Sequence, residues 1–251
     1  MNFKIIFCLF FFLLNVNIFS QSQDIKVQYK VYPTYGTIEN DEKIKSKKIP
    51  DLFKGVDIAI QSLEYELNIS KNKSHFFLKD ILYSDKKVAG LAISFAGRES
   101  IFVDKNNKTF VKVKYILSEK YLVLFLPQQN WTLTTEKKII QGFKCYKATL
   151  SRTIRMKKDK VKTYIAEAWY CPELPFSFGP KDFGELPGLI LELQDDKVTF
   201  VASKIELNTK LLQNIELKSN QKIINEDEFY NIVDIKAKQY FEEKYNKNSS
   251  N

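Results

Sequence analysis

Apolar and polar residues alternate from Ile25 onward. Ile25, Val27, Tyr29 and Val31 are separated by Lys26, Gln28 and Lys30, which predicts a strand with one buried face. Residues 36–50 are polar and Lys-rich and read as a loop, and Asp51 to Ala59 suits a short helical turn. Leu63, Tyr65, Leu67 and Ile69 alternate again, Lys71 to Ser74 turns, and His75 to Leu78 returns. Further strands are expected at 90–96, 100–104, 109–117 and 120–126, then near 131–137, 142–153, 161–171, 189–194 and 197–207. Tyr121 to Leu126 does not alternate, so both of its faces should be covered. Apolar positions change parity between Phe200 and Ile205, the signature of a bulge.

One long helix is expected, over about 225–244. Asn225 and Glu228 have the spacing of a capping box, with Glu226 and Asp227 beside them at the helix amino end. Phe229, Ile232, Val233, Ala237, Tyr240 and Phe241 form a stripe that should pack on the sheet. Residues 246–251 read as a disordered tail. These elements predict a mainly β (α+β) fold: one large curved antiparallel sheet with a C-terminal helix packed against it. No linker or repeat divides the chain, so residues 21–245 are expected to be a single domain.

The first twenty residues, MNFKIIFCLFFFLLNVNIFS, change the setting. Lys4 precedes an apolar run from Ile5 to Leu14, and small or polar residues follow, as in a secretory signal peptide over 1–20. Cleavage after Ser20 would leave Gln21 first. No later apolar run is long enough to cross a membrane as a helix. The mature protein is therefore expected to be exported: periplasmic, secreted or outer-membrane associated.

Export gives the remaining cysteines a meaning. Cys145 and Cys171 are symmetric about residue 158, inside the charged stretch Met156 to Lys160. A hairpin turn there would place the sulfurs opposite each other and allow a disulfide. A one-residue shift of register would leave two buried thiols instead. In the same hairpin Tyr146, Ala148 and Leu150 should share a face with Tyr164, Ala166, Ala168 and Tyr170.

The formal charge is +9, yet arginine occurs only at 98, 152 and 155. Nucleic-acid readers lean on the arginine fork, so a solvated Lys-rich surface is expected rather than nucleic-acid binding.

Proline and glycine concentrate at Pro172, Pro175, Pro180 and Pro187 with Gly179, Gly184 and Gly188, a stiff loop leading into a buried strand. Phe176, Phe178 and Phe183 supply this loop with apolar contacts. The ordered series Trp131 to Glu136, Lys138 to Thr149 (with Gly142, Cys145, Lys147 and Ala148), Ala168-Trp169-Tyr170, Gly179-Pro180 and Phe183 to Glu192 resembles the GLPGLI family of exported proteins of Bacteroidota-type bacteria. The signature itself is carried by Leu186, Pro187, Gly188, Leu189 and Ile190, after Gly184. Its first glycine is replaced here by Glu185, which questions whether a positive φ is needed at that position. The resemblance implies export and an antiparallel β architecture, and brings no activity, cofactor or catalytic residue.

One His and two separated Cys argue against a transition-metal site, and no Gly-rich phosphate loop or hydrolase motif occurs. No cofactor is expected. His75 reads as a surface or rim residue rather than a general base, and Glu167 beside Trp169 as a solvated one. The sequence thus favours a non-enzymatic accessory factor that binds an envelope protein. A carrier of a hydrophobic or lipid ligand is the alternative, and a hydrolase is disfavoured.

Overall fold

The computed structural model describes residues 24–34, 53–80, 85–98, 100–127, 130–155, 160–209, 215, 217 and 222–249. The signal peptide, the loop over 36–50 and the turn over 156–159 lie outside the described residues.

Alternation produces most of the strands as expected: β1 (Ile25–Pro33), β2 (Glu64–Ser70), β3 (Lys73–Leu78), β4 (Ser100–Asp104), β5 (Thr109–Ile116) and β6 (Glu119–Leu124). They continue as β7 (Thr132–Ile140), β8 (Phe143–Arg155), β9 (Val161–Cys171), β10 (Leu189–Asp195), β11 (Val198–Leu207) and β12 (Ile223–Ile224). All twelve join one sheet in the order β12-β6-β5-β4-β3-β2-β1-β11-β10-β9-β8-β7, antiparallel throughout except where β12 lies parallel to β6.

The register is set by burial. Ile25, Val27, Tyr29 and Val31 of β1 are fully buried, as are Leu67 and Ile69 on β2 and Phe200 and Ala202 on β11. The expected bulge falls on β11: Gln28 faces Lys204 and Tyr29 faces Ala202, so Ser203 is extra and its hydroxyl donates to the Gln28 carbonyl. At the far side, Gln141 (φ 50°) and Gly142 (φ 82°) make a two-residue turn between β7 and β8. β7 runs three residues past its expected end, to Ile140, and β8 opens at Phe143, next to the expected 142.

Residues 90–96 form a helix, not the expected strand. They belong to α2 (Lys86–Ala96), whose N-cap Asp85 accepts from the amides of Lys87 at 2.8 Å and Val88 at 3.2 Å. Ala89, Ala92 and Ala96 are its buried residues, one per turn, and their small size lets it lie close against α1 (Val56–Gln61).

The C-terminal helix α3 (Glu226–Ser249) begins with the expected capping box, Asn225 Oδ1 accepting from Glu228 N and Glu228 Oε2 accepting from Asn225 N. It packs on β6 through Phe229, Ile232 and Val233 beside Tyr121 and Val123. Only this first part of the stripe is covered. Tyr240 and Phe241 are exposed because the sheet ends before they do, and the helix runs past residue 244 to Ser249. On β6, Val123 faces α3 while Leu122 packs with Val111 and Val113 on the other side, but Leu124 is exposed.

One apolar core fills the concave side of the sheet, running from Phe76 and Ile101 through Tyr29 and Phe200 to Ala148, Ala166 and Ala168. The loop between β9 and β10 lies in this concavity.

Candidate functional site

The proline-rich loop is fixed from its ends inward. At its exit, Gly188 has φ 156°, and a Cβ there would stand 2.2 Å from the Cys171 carbonyl oxygen. A Cβ at Gly179 would meet Ile190 at 2.7 Å, and one at Gly184 would meet the Ser177 carbonyl at 2.9 Å. These glycines are required by close approach of the loop to its own strand and to itself. Phe178 bridges to Gly184 in an isolated β-bridge, and the Ile190 amide donates to the Phe178 carbonyl at 3.0 Å. The Phe183 amide donates to the Pro180 carbonyl, and the Gly188 amide to that of Leu186. Leu186, Leu189 and Ile190 are buried, while Pro187 faces outward. The Tyr29 hydroxyl donates to the Ile190 carbonyl at 2.7 Å, which ties the signature strand to β1.

Glu185 answers the question raised by its substitution. It takes φ 63°, so the left-handed turn is kept without glycine. Its carboxylate meets Lys105 Nζ at 2.7 Å. The same ammonium donates to the Ser177 carbonyl at 3.0 Å and hydroxyl at 2.8 Å, and lies 4.7 Å from the Phe178 ring centroid. Lys105, from the β4–β5 turn, therefore clamps two limbs of the loop. Trp131 clamps a third point, its indole donating to the Gly184 carbonyl at 2.9 Å with Phe183 against its ring.

Beneath the loop lies a buried ionic cluster whose roles were not read from the sequence. Asp182 receives Arg152 Nη2 at 2.9 and 2.8 Å on its two oxygens, and Lys112 Nζ at 2.7 Å. Burial alone would raise the Asp182 pKa, but Lys112 and Arg152 outweigh it and hold the carboxyl far below its ordinary value. Asp195 is likewise lowered against its burial, chiefly by Lys181 and Arg152, and also accepts from the Tyr164 hydroxyl. The rarity of arginine in this chain was the one available signal for Arg152. Asp182 and Asp195 are engaged by these cations, while Arg152 Nε and Nη1 are buried without a hydrogen-bond partner among the described residues. The cavity beside them, lined by Lys105, Phe110, Asp182 and Phe183, is about 20 Å³, room for roughly one water.

The β8–β9 hairpin has the expected register. Tyr146 faces Tyr170, and the buried alanines 148 and 168 face each other. Continuing that register sets Cys145 opposite Cys171, yet no disulfide joins them: both are free buried thiols. Burial pushes the Cys145 thiol up to about 12 and also raises that of Cys171, which leaves little thiolate to enter exchange. On the outer face Lys147 pairs with Glu167 at 3.0 Å and Glu136 at 3.4 Å, and Lys138 pairs with Glu192 at 2.7 Å while lying 4.2 Å from the Trp169 ring centroid. Glu167 is thus ion-paired rather than merely solvated.

His75 is stacked on Phe77 and Phe102, with Ser100 Oγ 2.7 Å from Nε2. Burial lowers its pKa to about 4. It is a half-buried residue of the outer sheet face.

The end of the sheet is where surface remains unused. Among the described residues β7 is its terminal strand and pairs only with β8, exposing Leu133 (54%) and Ile139 (66%). Its register with β8 slips between Leu133 and Lys137 and is regular from Lys137 to Ile140. Beside it, Lys144, Tyr146, Tyr170, Pro172 and Glu173 line an open groove of about 240 Å³.

Known proteins match the loop region and the fold. The profile of a family described as "Protein of unknown function (Porph_ging)" matches residues 152–192, from the arginine of the ionic cluster through the signature strand. It is an uncharacterised family, named after Porphyromonas gingivalis, which fits a Bacteroidota-type family. No curated protein matches the chain. Among solved structures, PNGF-II in a P21 crystal form has a TM-score of 0.52 at 15% identity, covering 84% of this chain and 33% of that one. Its C2 form gives 0.49 at 16%, covering 82% and 31%. The chain thus spans about a third of PNGF-II, and the likeness is one of fold. No helix among the described residues is long and apolar enough to cross a membrane, and no cluster of metal-ligating side chains occurs among them.

Proposed function

We propose that the chain is an exported, non-enzymatic accessory protein of the cell envelope, of the GLPGLI type, that holds a partner protein along its β7 edge. The observation that carries this reading is the terminal strand itself: an unpaired edge that shows Leu133 and Ile139 to solvent. The charged run Glu136-Lys137-Lys138 and the slip before Lys137 guard the middle of this edge, whereas its regular stretch ends in exposed Ile139 and can take a partner strand through main-chain hydrogen bonds. The signature geometry serves the same end in this reading, since the clamped loop stiffens the concave side behind that edge.

A carrier of a hydrophobic ligand would need a pocket of roughly 300–1,000 Å³. The cavity beneath the loop is about 20 Å³, and the larger spaces, about 420 Å³ beside Ala237 and Phe241 and about 240 Å³ over Tyr146, are open surface grooves, which favours the docking reading over that one. The test is a photo-reactive residue placed at Leu133 in the native host. One dominant envelope protein should be captured, and Ile139→Pro should abolish capture. Persistent capture in the proline variant, or none in the parent, would overturn the reading.

A further inference from the structure

Cross-strand register extends the chemistry of the β7 edge one strand outward. Lys137 on β7 faces Tyr146, which faces Tyr170, which faces Ile190, so these four side chains form one row on the concave face. Ile139 and Lys144 form the next pair on the same face. Lys137 and Lys144 both lie over the Tyr146 ring, at 5.6 and 5.8 Å from its centroid, and neither meets a carboxylate among the described residues. The groove lined by Lys144, Tyr146 and Tyr170 carries one acid, Glu173, so with Lys137 beside it the site stays net positive. The other charges near this strand are neutralised on the opposite face, Lys138 by Glu192 and Lys147 by Glu136 and Glu167.

We infer that the partner is an extended protein segment with an acidic side chain two residues from an apolar one, docked as a thirteenth strand beside Lys137–Ile140. Side chains two apart on a strand share a face, so an acid opposite Lys137 brings the apolar residue opposite Ile139. The acid then meets Lys137 and Lys144, and the apolar residue covers an isoleucine that is now two-thirds exposed. Opposite charges facing across strands attract and like charges repel, which turns the row into a selectivity filter. The inference rests on the docking reading above and adds the chemistry of the partner.

The experiment uses fluorescence anisotropy with three labelled hexapeptides of Thr and Val. One carries Glu two residues before Val, one has Lys in place of that Glu, and one is the Glu peptide N-methylated along its backbone. The Glu peptide should bind at least about fivefold more tightly than the Lys peptide, Lys137→Glu should reverse the order, and N-methylation should weaken binding. Equal binding of the Glu and Lys peptides, with the N-methylated one weaker, overturns the acidic partner and leaves edge docking standing. Undiminished binding of the N-methylated peptide overturns both. If no peptide binds at millimolar concentration the inference fails, and the cross-link from Leu133 decides edge docking alone.

Discussion

Lys112 and Arg152 grip the same carboxylate, Asp182, although their strands stand eight places apart in the sheet. In a flat sheet that interval would be about 38 Å at the usual strand spacing. The sheet must therefore wrap strongly, and the loop carrying Asp182 is the bolt across its two arms.

Removing that bolt should be expensive. Asp182→Ala leaves two cations facing each other in a buried site, and the expected loss is about 3–5 kcal/mol. Urea unfolding followed by tryptophan fluorescence would measure it. A loss below about 1 kcal/mol would mean that the arms hold without the ion pairs.

The loop glycines should separate by cause. Gly188→Ala brings a Cβ against the Cys171 carbonyl and should prevent folding, seen as loss of soluble protein. Gly142→Ala has φ 82° but open space around it, so only the dihedral penalty of about 1–2 kcal/mol applies. Glu185→Gly relieves a left-handed residue and breaks the Lys105 ion pair, so its effect should stay within about 1 kcal/mol of zero. Thermal melts of the three variants would check the order.

Acid should act in two stages. His75 has its pKa lowered to about 4 by burial, so between its ordinary value near 6.5 and about 4 the unfolded chain binds the proton more readily. Stability is full above that window and falls as pH drops through it. Asp182 and Asp195 are lowered as well, so their contribution survives until the pH falls below the ordinary carboxylate range. Melting temperature against pH should decline gently from 6.5 and steeply below about 4, and His75→Phe should flatten the first limb alone.

Neither cysteine should react in the native state. At pH 8 iodoacetamide should leave Cys145 and Cys171 unmodified in native protein and label both in urea, as read by intact mass. A two-hydrogen mass deficit before reduction would instead reveal a bridge between them.

Much of this fold is legible in the sequence because strands sorted by burial write a period of two. The slip near Ser203 follows from parity, and the facing of Tyr146 by Tyr170 from a hairpin turn centred on residue 158. Residues 90–96 misled because a short apolar run has no decisive period; Asp85 as N-cap and the spacing of Ala89, Ala92 and Ala96 held the helical answer. Asp182 was invisible as a site because its partners come from β5 and β8, and only the wrapping of the sheet brings them together. The β7 edge has no local signature, since strand order is not written in any local pattern.

The placement of β1 gives the molecule a seam. It pairs with β2 on one side and β11 on the other, so within the hydrogen-bonded sheet it is the strand that joins β2–β6 to the strands from β7 to β11. Its partner on the second side lies far along the chain, with Val31 facing Phe200 and the Tyr29 hydroxyl reaching Ile190. Contacts this distant in sequence form late and slowly. During synthesis the two arms must remain unsewn until β11 emerges, which leaves β1 with a bare side for most of that time. A chain travelling to its destination unfolded would escape that exposure, whereas one folding as it is made would need its first strand shielded.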